Sequence, residues 1–232
     1  IPQLVIGLTI VAMGTSAPEA AVSITAAFNG SADITIGNIV GSNILNVLII
    51  LGLSAVVYPL TVEKSTLKID IPVTIFATVL LFVLGLDGNI TRIDGIIMLG
   101  IFVAYIAFLI VSAKKAQNQA SATSVNETLS DENAKTEEKP KSILLLIVIT
   151  IVGLALVILG SRFVVSSASF IARKFGLSER FIGLTIVALG TSLPELFTSV
   201  VAASKKNSDI AIGNIIGSNL FNILFVVGLS SL

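Results

Sequence analysis

Long apolar runs alternate with short polar links along most of the chain. A bilayer crossing needs about 20 mostly apolar residues. By that measure the chain carries seven crossings, at roughly residues 4–28, 34–58, 69–86, 94–113, 143–165, 180–203 and 210–231. The links hold turn-forming residues, as in "NGSAD" at 29–33, "GLDGN" at 85–89 and "KKNSD" at 205–209. Residues 114–141, "KKAQNQASATSVNETLSDENAKTEEKPK", depart from this rhythm. They are polar, charged and poor in large apolar side chains, which predicts a solvated, flexible loop. The fold expected is an all-α membrane protein.

The hydrophobic pattern also repeats. A shift of 176 residues lays 6–54 over 182–230 without a gap, placing "IGLTIVAMGTSAPE" over "IGLTIVALGTSLPE" and "DITIGNIVGSNILN" over "DIAIGNIIGSNLFN". About half the positions are identical, so the two stretches are copies of one unit. Five predicted spans separate a residue from its mate, and an odd number means that the copies cross the membrane in opposite directions. Inverted-topology repeats of this kind build many secondary transporters, with the site near mid-membrane between the copies. One span before the second copy has no mate before Ile1, and two spans after the first have none after Leu232. The expectation is a fragment of a ten-span, five-plus-five fold. Residues 1–113 form a first repeat of four spans lacking its first, 114–141 a polar loop, and 142–232 the first three spans of the second repeat.

Orientation follows from basic residues. One side gathers Lys64, Lys68, Lys114, Lys115, Lys135, Lys139, Lys141, Lys205 and Lys206; the other gathers Arg92, Arg162, Arg173, Lys174 and Arg180. The richer side, which includes the 114–141 loop, is expected in the cytoplasm. That placement makes the "NET" at 126–128 an accidental glycosylation sequon.

Composition then narrows the chemistry. Hydrophobic residues make up 54% and charged residues 12%, with a formal net charge of zero. Nothing in that balance speaks for a nucleic-acid partner; the expected surroundings are lipid. Without Cys there is no disulfide framework or thiolate metal site, and without His no Ser–His dyad or imidazole relay. No phosphate-binding loop is present, which sets aside an ATP-driven pump. An intramembrane protease would need a dyad that the chain lacks.

Two motifs remain, "GTSAPE" at 14–19 and "GTSLPE" at 190–195. Pro18 and Pro194 have no N–H, so the carbonyls of Gly14 and Gly190 lose their helical partners. A bare carbonyl in hydrocarbon is costly unless it lines a cavity or binds something. Beside each stand Thr15, Ser16 and Glu19, or Thr191, Ser192 and Glu195. The next span offers Asn38, Ser42 and Asn46 at a four-residue spacing, mirrored by Asn214, Ser218 and Asn222. Carboxylates, hydroxyls, amide oxygens and freed carbonyls are hard donors, the set for calcium or sodium rather than transition metals. A central acid costs about 2.5–3.5 kcal/mol on insertion scales, so two acids in symmetry-related positions point to function. The serines serve equally as ligands or as interhelical hydrogen-bonding groups. Asn38 and Asn214 fit either an access path or polar bracing. Gly37/Gly41 and Gly213/Gly217 read as close helix packing, and Asp33 and Asp209 as residues favouring helix N-termini.

The paired motifs, each followed by "GSN" and a further Asn, resemble the two α-repeats of the sodium/calcium exchangers, within the calcium/cation antiporter superfamily. The Gly-Thr-Ser of both motifs is closer to the sodium-coupled branch than to the proton-coupled one, which usually has Gly-Asn. The resemblance implies calcium ligands at Glu19 and Glu195 and at the carbonyls of Thr15 and Thr191. It implies sodium sites from the same glutamates with Ser16, Ser42, Ser192 and Ser218, and Asn46 and Asn222 lining the centre. Some relatives, potassium-dependent ones among them, carry Asp at the position of Asn222. Asn there leaves two membrane carboxylates and counts against potassium co-transport. The function expected is antiport of calcium against sodium by alternating access, about three sodium ions for one calcium by the resemblance. The partners are those ions and the lipid bilayer, no cofactor is required, and the transport unit is a single chain in the plasma membrane. Proton-coupled calcium antiport and potassium-dependent exchange stand as alternatives, and a passive channel as a further rival.

Overall fold

A computed structural model describes residues 2–30, 32–127, 143–177 and 188–232. The described residues contain helices and no strand. Helix α1, Gln3–Thr15, runs into α2, Ala17–Phe28, with a bend of 50° between them. The long helices α3 (Ile34–Val57), α4 (Thr66–Leu84) and α9 (Ser208–Ser230) follow the predicted spans within a few residues. Helix α5 is Arg92–Glu127 and α6 is Ile143–Lys174. The second motif lies on α7, Ala188–Thr191, and α8, Leu193–Ser204. The N-terminal part of the span expected at 180–203 lies outside the described residues.

The bend in the first motif has the cause read from the sequence. Ser16 leaves the helical region, with φ −81° and ψ 6°, and Pro18 sits in the first turn of α2, where a missing N–H costs nothing. Ser192 does the same, at φ −87° and ψ 4°, with Pro194 in the first turn of α8. Each motif therefore ends one helix and starts another, at the same residue of the repeat.

Helix α9 is the centre of the assembly. Its apolar window is 83% buried, against 28% or less for α3, α4 and α5. Two contacts hold it. Met98, Phe102, Tyr105 and Leu109 of α5, spaced for one helix face, are buried in the cluster that contains Phe221, Leu224 and Val227 of α9. Phe221 stacks on Phe225 at 4.8 Å, and Phe102 closes on both rings. On another side of α9, Gly213 and Gly217 meet the backbone of α1; a Cβ on Gly217 would come within 2.5 Å of the Leu8 carbonyl oxygen. The GxxxG of the second copy is thus a packing device. The outer faces carry exposed apolar side chains, among them Phe28, Val56, Phe82, Ile93 and Val103, as lipid contact requires.

Two expectations differ. Gly37 and Gly41, read as a close-packing pair like Gly213 and Gly217, have nothing within 4 Å of an added Cβ among the described residues. The polar segment was predicted as a loop from residue 114, but α5 continues helically to Glu127. Residues 114–122, "KKAQNQASA", are rich in Ala, Lys and Gln, which favour helix without needing a buried face. Low hydrophobicity ends the span there; it does not end the helix.

Candidate functional site

The two broken motifs bring their acids to one place. Glu19 and Glu195 fall in the first turns of α2 and α8 and are 1% and 0% exposed. They lie within electrostatic reach of each other. Each carboxylate is held by the serine of the opposite copy. Ser16 Oγ donates to Glu195 Oε1 at 2.6 Å, and Ser192 Oγ donates to Glu19 Oε1 at 3.0 Å. Their other oxygens, Glu19 Oε2 and Glu195 Oε2, are buried without a hydrogen-bond partner among the described residues.

The adjoining helices contribute further buried polar groups. Ser42 and Asn46 come from α3, Ser218 and Asn222 from α9, and all four are buried. Ser218 Oγ lies 3.5 Å from both Glu195 Oε1 and the Ala12 carbonyl oxygen. Ser42 Oγ, Asn46 Oδ1 and Asn222 Oδ1 have no partner among the described residues. Thr15 and Thr191, the last residues of α1 and α7, are buried too. Thr15 Oγ1 shares its proton between the Ala12 carbonyl at 3.2 Å and Asn214 Oδ1 at 3.0 Å. Both copies widen into a π-helical turn here, over Asn46–Ile50 and Phe221–Val227, a deviation common at functional sites.

Asn38 and Asn214 prove to be braces. Asn38 Nδ2 donates to the Glu19 carbonyl at 3.3 Å and to Ser23 Oγ at 2.9 Å. Asn214 Nδ2 makes the same pair with the Glu195 carbonyl and Ser199 Oγ, at 3.4 and 3.0 Å. They tie the first half of α3 and of α9 to the acid-bearing helix beside it. Asp209 lies in the first turn of α9, where Asn207 caps the helix by accepting from the Ile210 N–H at 3.2 Å.

Sequence reasoning missed three residues. Asp70, inside α4, is buried and accepts a hydrogen bond from Tyr105 Oη at 2.9 Å. It adds a third carboxyl to the two expected in the membrane, although Tyr105 belongs to the core rather than to the site. Asn43 and Asn219 link the copies across the centre, and their identity in both copies was the available signal.

Among the described residues no cluster of three or more His, Cys, Asp or Glu occurs. Two buried carboxylates, each bonded to the serine of the opposite copy, lie at the breaks of a helix that occurs twice in inverted copies. That combination defines a membrane exchanger of hard cations. The sequence profile of the sodium/calcium exchanger protein family matches residues 1–111 and 145–232, and the chain belongs to that family. It is 40% identical over 234 residues to inner membrane protein YrbG of Escherichia coli (strain K12), covering 100% of this chain and 70% of that protein. It is 33% identical over 258 residues to sodium/calcium exchanger MaX1 of Methanosarcina acetivorans, covering 100% and 74%. Among solved structures it resembles the sodium-calcium exchanger NCX_Mj, with a TM-score of 0.81 and 34% identity over 100% of this chain and 71% of that one. Crystals of NCX_Mj were soaked with sodium, calcium or strontium.

Proposed function

We propose that this chain exchanges calcium for sodium across the plasma membrane by alternating access, as a single-chain transport unit. The observation that carries the reading is that, of eight buried side-chain oxygens without a partner among the described residues, five belong to the two motif glutamates and to the serine and asparagines expected to bind ions. They are Glu19 Oε2, Glu195 Oε2, Ser42 Oγ, Asn46 Oδ1 and Asn222 Oδ1. Buried acceptors are almost always satisfied, so unpartnered oxygens concentrated on the two repeat motifs call for a ligand that accepts lone pairs. A cation is such a ligand.

Glu19 and Glu195 supply a charge of −2 when ionised. Calcium is held by both carboxylates and the Thr15 and Thr191 carbonyls. Sodium ions use the same glutamates with Ser16, Ser42, Ser192 and Ser218, while Asn46 and Asn222 fill remaining shell positions. Sealing an empty, doubly charged pair away from water is expensive. One calcium ion or several sodium ions neutralise it, so only a loaded site closes and reopens on the far side. Exchange is then obligatory, and rocking of one repeat against the other alternates the exposure.

The test is calcium uptake by vesicles that contain the natural full-length protein, preloaded with sodium, potassium or choline. Uptake only from sodium-loaded vesicles, lost in Glu19→Gln and in Glu195→Gln, is the expected result. Wild-type uptake in either variant sinks the site assignment. Uptake driven by a pH gradient without sodium would transfer the reading to proton-coupled antiport.

A further inference from the structure

The two central amides, Asn46 and Asn222, present a problem that a carboxylate would not. An amide has an oxygen at one end and an NH2 at the other, and only the oxygen attracts a cation. Some neighbouring group must decide which end faces the site.

We propose that Asn43 and Asn219 are positioning residues that set the polarity of the opposite copy's amide, and so hold Asn222 and Asn46 oxygen-inward. This rests on the exchange reading above. The decision starts from backbone carbonyls, which only accept. Asn219 Nδ2 donates to the Asn43 carbonyl at 3.5 Å, and Asn43 Nδ2 donates to the Asn219 carbonyl at 3.2 Å. With their NH2 groups so committed, Asn219 and Asn43 turn their own oxygens to the next amide. Asn46 Nδ2 donates to Asn219 Oδ1 at 2.9 Å, and Asn222 Nδ2 donates to Asn43 Oδ1 at 3.1 Å. The oxygens of Asn46 and Asn222 are left as the free ends, buried and without partners among the described residues. The relay is reciprocal: each copy orients the other's ligand.

Loss of the acceptor at Asn43 frees Asn222 to turn its NH2 towards the cation; loss at Asn219 frees Asn46. An aspartate at the ligand position has oxygen at both ends and needs no orientation. The relay therefore makes a crossed prediction that general loosening of the core does not. In full-length protein in vesicles, Asn43→Ala should raise the calcium KM about tenfold, the ~1.4 kcal/mol of one misdirected polar ligand, with Vmax within about twofold. In an Asn222→Asp background the same change should move KM by less than about twofold, while Asn219→Ala there keeps its full effect. In an Asn46→Asp background the dependence should reverse. Effects that ignore the background, or that fall on Vmax alone, overturn the inference. Should the alanine variants fail to reach the membrane, Asn43→Asp keeps shape and acceptor, and its calcium KM should not rise; a tenfold rise overturns the inference. A wild type without sodium-driven calcium uptake removes the exchange reading and this inference together. A wild type that exchanges and loses uptake in Glu19→Gln, with KM unchanged in Asn43→Ala and Asn219→Ala, removes this inference alone.

Discussion

Ser16 of the first copy donates to Glu195 of the second across 2.6 Å, and Ser192 does the same for Glu19 at 3.0 Å. The broken helices are thus latched to each other by the groups assigned to ion binding. A hydrogen bond to a charged group contributes about 1.5–3 kcal/mol, so Ser16→Ala should weaken calcium binding by roughly tenfold or more without abolishing it. A double-mutant cycle of Ser16→Ala with Glu195→Gln, read by the melting temperature in ion-free detergent, should show coupling. The pair Ser16→Ala with Glu19→Gln should be closer to additive, because no bond joins those side chains.

Two buried carboxylates with no Lys or Arg bonded to either among the described residues destabilise the ion-free protein when both are ionised. Anything that binds the folded state alone stabilises it by mass action, about 2.7 kcal/mol at a hundred times Kd. Calcium should therefore raise the melting temperature of the wild type by several degrees, and chelation should reverse the gain. The variant Glu19→Gln/Glu195→Gln should melt at or above the ion-free wild type and ignore calcium, because it buries no charge. A double variant still stabilised by calcium would move the site elsewhere.

The repeat made much of this legible beforehand. A 176-residue offset fixed the broken helices, the paired acids and the serine and asparagine positions on the facing helices, because every side chain there belongs to a copied motif. Asn43 and Asn219 escaped for a geometric reason. They stand one residue past Ser42 and Ser218, off the face that Asn38, Ser42 and Asn46 share, so helical periodicity within one span sets them aside. Their role exists only in the contact between copies. Asp70 escaped because a carboxyl near a span end reads as solvated, until Tyr105 is found against it. The helix through 114–127 escaped because polar composition signals solvation and says little about whether a helix stops.

The contact of α1 with α9 leaves no room for a side chain at Gly217. A Cβ there would meet the Leu8 carbonyl at 2.5 Å and the Ala12 Cβ at 2.7 Å; at Gly213 it would meet the Leu4 carbonyl at 2.9 Å. Overpacking of this sort costs about 1–3 kcal/mol. Gly217→Ala should lower the melting temperature clearly and Gly213→Ala by less. Gly100→Ala and Gly153→Ala, at positions with nothing within 4 Å among the described residues, should be neutral or slightly stabilising. Equal effects at all four positions would mean that α1 does not sit on α9 as described.

Asp70 and Tyr105 offer a separation of stability from transport. The phenol of α5 donates to a carboxyl on α4 that is 3% exposed, and among the described residues neither side chain is hydrogen-bonded to Glu19, Glu195 or the central amides. Tyr105→Phe removes the donor and keeps the ring in its core cluster, leaving a buried acceptor unpaired at a cost of about 1–3 kcal/mol. The melting temperature should fall while the calcium KM stays within about twofold of wild type, since the substitution touches no ion-facing oxygen. Asp70→Asn should be milder than Tyr105→Phe, because the amide oxygen still accepts from the phenol and the buried acid is gone. If Tyr105→Phe instead shifts KM tenfold with the melting temperature unchanged, Asp70 belongs to the transport path, and the exchanger works with three membrane carboxyls rather than two.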